Sequence, residues 1–188
     1  MLIRILSFLL ETVFFLLIAA ALLRAWMNGL RINMNGQPGT FVMALTHWLV
    51  KPLRRLLPKA ISQSRIDWAS LLAAALLALA YGVVAALIFG VLLGGGLAGG
   101  FGAESIGGLV VFAVKMLIRV TLQTLFILVL GFAIISWVQP GSPIYALLGR
   151  LTEPLLAPLR RFIPAIGGVD LSALVLLVLL QIGLMVLV

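Results

Sequence analysis

Residues 69–93 carry no charged side chain, and that one run decides what solvent the chain needs. In water such a helix would have to be covered around its whole circumference. In a hydrocarbon core about 30 Å thick it spans at about 1.5 Å per residue, with every backbone group paired inside the segment. Its alanine and leucine content favours the helix as well. Three further apolar runs, 5–27, 109–138 and 171–188, are expected to do the same, although Glu11 and Arg24 interrupt 5–27, and Lys115 and Arg119 interrupt 109–138. An acid at the depth of Glu11 is costly, so it is expected to face protein or water, either packed neutral against a neighbouring helix or in a functional role. Lys115 and Arg119 are expected to snorkel near the outer interface.

Composition agrees. With 64% hydrophobic residues, 10% charged residues and a mean hydropathy of +1.29, the chain lies far from soluble domains, whose apolar share is roughly 45–50%. A net charge of +8 would suggest nucleic acid in a soluble protein. Here the cations lie between apolar runs, where they mark a membrane surface facing anionic lipid, and no nucleic-acid partner is expected. Cysteine is absent, which excludes disulfides, thiolate metal sites and a cysteine nucleophile. Arg4 begins the chain as a signal peptide would, but the apolar run continues to Leu23 with no small-residue cleavage pattern, so the segment is expected to be retained.

Between the apolar runs the chain repeats itself. Pro52-Leu53-Arg54-Arg55-Leu56-Leu57-Pro58 returns 106 residues later as Pro158-Leu159-Arg160-Arg161-Phe162-Ile163-Pro164, and Thr46 and Leu49 return at the same offset as Thr152 and Leu155. Each copy follows an apolar run ending near a tryptophan, Trp26 or Trp137, and precedes an aspartate, Asp67 or Asp170, that opens the next run. The predicted fold is therefore an all-α membrane protein with four transmembrane helices in two tandem repeats. Residues 1–93 form the first repeat (helices 5–27 and 69–93), 94–108 a glycine-rich linker, and 109–188 the second (helices 109–138 and 171–188). Segments 41–57 and 144–163 space apolar residues at three and four with polar ones between, and are too polar to span. They are expected to lie in the interface or to re-enter, cut into short pieces by Pro52, Pro58, Pro154, Pro158 and Pro164.

Lysine and arginine set the orientation. Counting Arg24 near the end of the first run, ten of the 13 lie from there to the second run or between the third and fourth, leaving Arg4, Lys115 and Arg119 for the other side. The positive-inside rule puts both arginine loops in the cytoplasm and both termini outside, so the repeats run parallel, related by an axis along the membrane normal.

The prolines would hold Arg54, Arg55, Arg160 and Arg161 at headgroup level, where each guanidinium can take phosphate in a fork. These arginines either fix topology, bind lipid phosphate or a partner, or pair with Asp67 and Asp170. The two aspartates in turn either cap the helices they precede or join ion pairs. Gly167 and Gly168 allow a tight turn that would bring Arg160 and Arg161 back towards Asp170, whereas the first half covers that stretch with Ile61, Ser62, Gln63 and Ser64. The stricter geometry is thus expected in the second half.

On these residues the chain resembles the YggT family of small bacterial and plastid membrane proteins, built from two such repeats. The resemblance runs from Glu11 to about Val188. It is carried by Leu22-Leu23-Arg24-Ala25-Trp26 with Ile134-Ile135-Ser136-Trp137, by the two arginine heptamers, and by Asp67, Gly168, Asp170 and Ser172. It implies a multi-pass protein of the bacterial inner membrane, loosely linked to division-site or nucleoid organisation, membrane-complex assembly and osmotic tolerance, without an accepted biochemical activity.

Three function classes follow. A non-catalytic scaffold or assembly factor would engage anionic headgroups and a protein partner or second copy through its cytoplasmic segments. A small oligomeric channel or transporter component is the alternative, motivated by the repeat and by Glu11, Arg24, Lys115, Arg119, Gln123 and Gln181 in or near the spans. An enzyme is not expected: His47 is the one histidine, and no metal-ligand spacing, catalytic triad or phosphate loop accompanies it. No cofactor or metal is expected either.

Overall fold

The structure, a computed structural model, describes residues 1–57, 67–92, 106–161 and 170–187. All regular structure among them is helical: α1 (Leu2–Gly29), α2 (Gly39–Leu56), α3 (Trp68–Leu92), α4 (Ile106–Val138), α5 (Pro143–Arg160) and α6 (Leu171–Leu187). Pro58, the joint 61–65, the linker residues 94–105, Pro164 and the Gly167-Gly168 pair lie outside the described residues.

Among the described residues three helices are long and apolar enough to cross a membrane: α1, α3 and α4, of 28, 25 and 33 residues. Helix α6 is as apolar but has 17 residues, about 26 Å of helix, slightly less than a typical hydrocarbon core. Two hydroxyls inside α1 are satisfied by its own backbone. The Ser7 and Thr12 hydroxyls donate to the carbonyls of Ile3 and Phe8 at 2.6 and 2.7 Å, so neither presents an unpaired group to lipid.

Helices α2 and α5 are each continuous for 18 residues, although Pro52 lies inside α2, and Pro154 and Pro158 inside α5. The expectation that these prolines cut the segments into pieces does not hold, and the reason is the face on which they fall. A proline frees the carbonyl four residues back. Those carbonyls belong to Trp48, Arg150 and Pro154, and all of these residues, like the prolines themselves, lie on the exposed side of their helices. There water or headgroups can serve the freed acceptors. The opposite side of α2 is buried through Val42, Thr46 and Val50, one turn apart, and that of α5 through Leu151, Thr152 and Leu156. Ser142 caps α5 by accepting from the Tyr145 N–H at 3.1 Å, with Pro143 at its first position.

The chain divides into two compact units, Met1–Val120 and Thr121–Val188, so the boundary falls within α4. In the first unit α1, α2, α3 and the first part of α4 share a core of Ile18, Ala21, Val50, Ala73, Ala74, Ala78, Ala113 and Val120. The alanines let the helices approach closely, which in lipid supplies packing that the hydrophobic effect does not. Gly82 continues that face, and a Cβ there would stand 2.8 Å from Leu109 Cδ1 of α4. In the second unit the remainder of α4 packs with α5 and α6 through Val129, Phe132, Leu156, Ala173, Leu176 and Leu180, and the rings of Phe132 and Tyr145 stack at 5.3 Å.

Entry into α2 depends on Gly39, where a Cβ would lie 2.6 Å from the backbone oxygen of Met34 and 2.7 Å from its Cα. Backbone cannot step aside as a side chain can. Gly39→Ala should therefore destabilise the protein by roughly 1–3 kcal/mol, read as a lower melting temperature in detergent. Gly36→Ala, where a Cβ meets nothing within 4 Å, should leave it unchanged.

Candidate functional site

The recurring arginines and aspartates meet in each unit, where the amphipathic helix ends and the next apolar helix begins. In the first unit Asp67 immediately precedes α3 and is 7% exposed. Its Oδ2 accepts from Arg54 Nη2 at 3.1 Å, from Asn28 Nδ2 at 3.1 Å and from the Ser70 hydroxyl at 2.9 Å, while Oδ1 accepts from the Ser70 N–H at 3.3 Å. One carboxylate thus satisfies an orphan amide of α3 and ties α1, α2 and α3 together. Burial opposes its ionisation, but the Ser70 hydrogen bond and the Arg54 guanidinium outweigh it and hold the carboxyl below the usual carboxylate range. Beside it Arg24 of α1, 6% exposed, donates to Thr46 Oγ1 at 2.9 Å, and that hydroxyl donates on to the Val42 carbonyl at 2.7 Å.

The second unit uses the same parts in a different balance. Arg160 Nε and Nη2 both reach Asp170 Oδ2, at 2.9 and 2.7 Å, and its Nη1 reaches Glu153 Oε2 at 2.7 Å. Its guanidinium carbon also sits 5.8 Å from the Phe132 ring centroid, within cation–π range. Asp170 accepts from the Ser172 N–H at 3.1 Å. Burial works against charge on both members of the pair. For Arg160 the two carboxylates prevail and raise its pKa; for Asp170, Arg160 and Ser172 prevail and lower it. Thr152 is fully buried like its counterpart Thr46, and donates to the Leu148 carbonyl at 2.8 Å.

An arginine–aspartate pair is therefore present in both halves, not in the second alone. Arg55 and Arg161 stand apart from it: both are exposed, and among the described residues neither makes a hydrogen bond or ion pair. His47 is exposed on α2, and among the described residues no three His, Cys, Asp or Glu side chains gather to hold a metal. Sequence reasoning missed Asn28 and Glu153 as members of the clusters. Asn28 lies four residues after Arg24 and Glu153 seven before Arg160, spacings that share a helix face and were open to inspection. In the first unit, Glu11 Oε1 also meets Arg119 Nη1 at 3.7 Å, with both side chains about half exposed.

Asp67→Asn should cost about 1–3 kcal/mol, because it weakens the buried acceptor that Arg54, Asn28 and Ser70 share. Asp170→Asn should cost about 1 kcal/mol or less, since Arg160 keeps Glu153 and the pair is partly exposed. Both carboxyls titrate lower folded than unfolded, so their contribution is whole above about pH 4 and lost as pH falls through the folded pKa values. A melting series from pH 5 to pH 3 should fall more steeply for the wild type than for the double Asn variant.

The family model described as CCB3/YggT matches residues 1–88 and 111–188. An "Uncharacterized protein in proC 3'region" of Vibrio alginolyticus is 37% identical over 93% of this chain and 89% of its own length. The "Uncharacterized protein YggT" of Escherichia coli strain K12 is 35% identical over 94% and 86%, and "Uncharacterized protein PA0392" of Pseudomonas aeruginosa 34% identical over 88% and 79%. No solved structure matches. With nearly its whole length matched in two segments, each holding one arginine–aspartate cluster, the chain belongs to the CCB3/YggT family.

Proposed function

We propose that this protein is a non-catalytic scaffold or assembly factor of the bacterial inner membrane, acting at the cytoplasmic face through anionic headgroups and a protein partner or second copy. In this reading the chain crosses four times in two parallel repeats, with α2 and α5 lying at the interface and both termini outside. The processes it would serve are envelope organisation, cell division or osmotic tolerance. The observation that carries the reading is how each Arg-Arg pair divides. Arg54 and Arg160 are held by an aspartate at the mouth of the next helix, which fixes the end of the amphipathic segment. Arg55 and Arg161 follow on that fixed end, exposed and without a partner among the described residues. A cation presented from a rigid helix end suits contact with phosphate or an acidic surface.

The second reading, a channel or transporter component, has the half-exposed Glu11–Arg119 pair in its favour. Crosslinking and affinity capture from native membranes, set against ion flux in reconstituted vesicles, decides between them. A stoichiometric protein partner with no flux is the expected result; saturable flux without a partner would replace the scaffold with transport.

Orientation is tested separately on a chain with no native cysteine. Cysteines placed singly at Gln63 and Gly141 should resist an impermeant thiol reagent added to intact cells, and one at Gly100 should label. External labelling at Gln63 would reverse the topology.

A further inference from the structure

Helix α6 carries no charged residue, yet Gln181 lies within it, 10 residues after Leu171 and six before Leu187, about 15 and 9 Å from the two ends. It is exposed. Its neighbours on that surface are apolar, Val178 at 59% and Met185 at 72% exposure, and where α6 crosses a membrane such side chains meet acyl chains and need no partner. An amide does, because hydrocarbon serves neither its two donors nor its acceptor. The Ser7 and Thr12 hydroxyls of α1 escape that cost by closing onto their own backbone. Among the described residues Gln181 makes no such bond.

The other side of α6 is taken by its own unit. Ser172, Ala173, Leu176 and Leu180 are buried, and a Cβ on Gly183 would stand 3.3 Å from Leu122 Cδ1 of α4. On the exposed side Leu174, Val178, Gln181 and Met185 follow one another at four, three and four residues, the spacing of a seam between two helices. The first half shows what such a face is for. Counted from Asp67 and Asp170, these four positions correspond to Leu71, Ala75, Ala78 and Gly82 of α3, none of which is exposed. Ala78 is fully buried, and a Cβ on Gly82 would meet Leu109 Cδ1 of α4 at 2.8 Å, so another helix covers the face there.

Symmetry and charge say which helix suits it in the second half. Copies inserted alike in one membrane are related by a two-fold axis along its normal, so their α6 helices run parallel and each seam residue meets its own counterpart. Glutamine is its own complement, donating through the amide nitrogen and accepting through the oxygen. Charged residues are not: the same axis placed on α4 would set exposed Lys115 and Arg119 against their own copies.

We propose that the exposed seam of α6 binds α6 of a second copy of this chain, as a parallel two-fold pair in which the Gln181 side chains hydrogen-bond across the axis. Leu174, Val178 and Met185 supply the packing, and Gln181 fixes the register, as a single polar residue does within a coiled-coil seam. The inference rests on the reading in which α6 crosses the membrane, and it names the second copy as the partner of this face.

The test uses the full chain, which has no native cysteine. On mild oxidation of native membranes, Val178→Cys and Met185→Cys should each give a product of twice the 20.1 kDa chain mass. Leu179→Cys should not, although that position is 51% exposed, because it points away from the seam. Gln181→Leu should raise the dissociation constant of the pair in detergent about fivefold or more, without lowering the melting temperature of the monomer. Equal crosslinking at Val178 and Leu179, a product of any other mass, or a dissociation constant unchanged by Gln181→Leu would each overturn the pair. Val186→Cys, at an 81% exposed position, reads the crossing by itself with an impermeant thiol reagent added to intact cells. External labelling there without a crosslink at Val178 leaves the crossing standing while the pair falls, and no external labelling removes both.

Discussion

An apolar helix begins with amide donors that have no partner of their own, and Asp67 and Asp170 stand where α3 and α6 face that demand. Each carboxylate accepts from a backbone N–H just inside the helix, and each then carries a negative charge at the mouth of that helix. That charge has to be met. The helix that precedes it supplies the answer in Arg54 or Arg160, so capping the apolar helix also fixes the end of the one before it. Thr46 and Thr152 hold the other end of that relation, buried two turns earlier with their hydroxyls closed onto their own helix.

From this shared frame two substitutions change the sign of the cluster. The position two residues before the interfacial tryptophan is Arg24 in the first half and Ile135 in the second; the position after the buried threonine is His47 in the first and Glu153 in the second. One exchange adds a buried cation beside Asp67, and the other adds a second carboxylate to Arg160. Arg160 consequently engages two carboxylates through three nitrogens, while Arg54 meets one. Two copies of one motif are thereby fitted to different chemistry, although the heptamers that announce them are almost the same.

Much of this was open to reading in the chain. The apolar runs give the long helices because length and charge alone decide whether a segment suits lipid, and the 106-residue offset matches Thr46, Val50 and Arg54 to Thr152, Leu156 and Arg160, which occupy like places in their units. Arg24 and Asn28 were not legible as partners of α2 and α3, because contact between helices distant in sequence depends on rotation about each axis, which a repeat offset does not record. The prolines misled for a related reason. Their effect depends on which side the freed carbonyl faces, and Pro52, Pro154 and Pro158 all release theirs outward.

The Glu11–Arg119 pair is best judged by depth. Glu11 lies 13 residues before Arg24 on α1, about 20 Å along the axis, and Arg24 marks the basic interface. In a core about 30 Å thick the pair therefore lies nearer the face away from Arg24, within reach of that interface for two long side chains. Helix α4, about 50 Å long at 33 residues, exceeds the core and must tilt or emerge, which brings Arg119 still nearer to water. A half-exposed pair in that position can snorkel, and needs no aqueous path through the protein to be tolerated. The buried cation of that unit is Arg24, beside Asp67 and Arg54, so the two charged groupings of the first unit stand about 20 Å apart along α1.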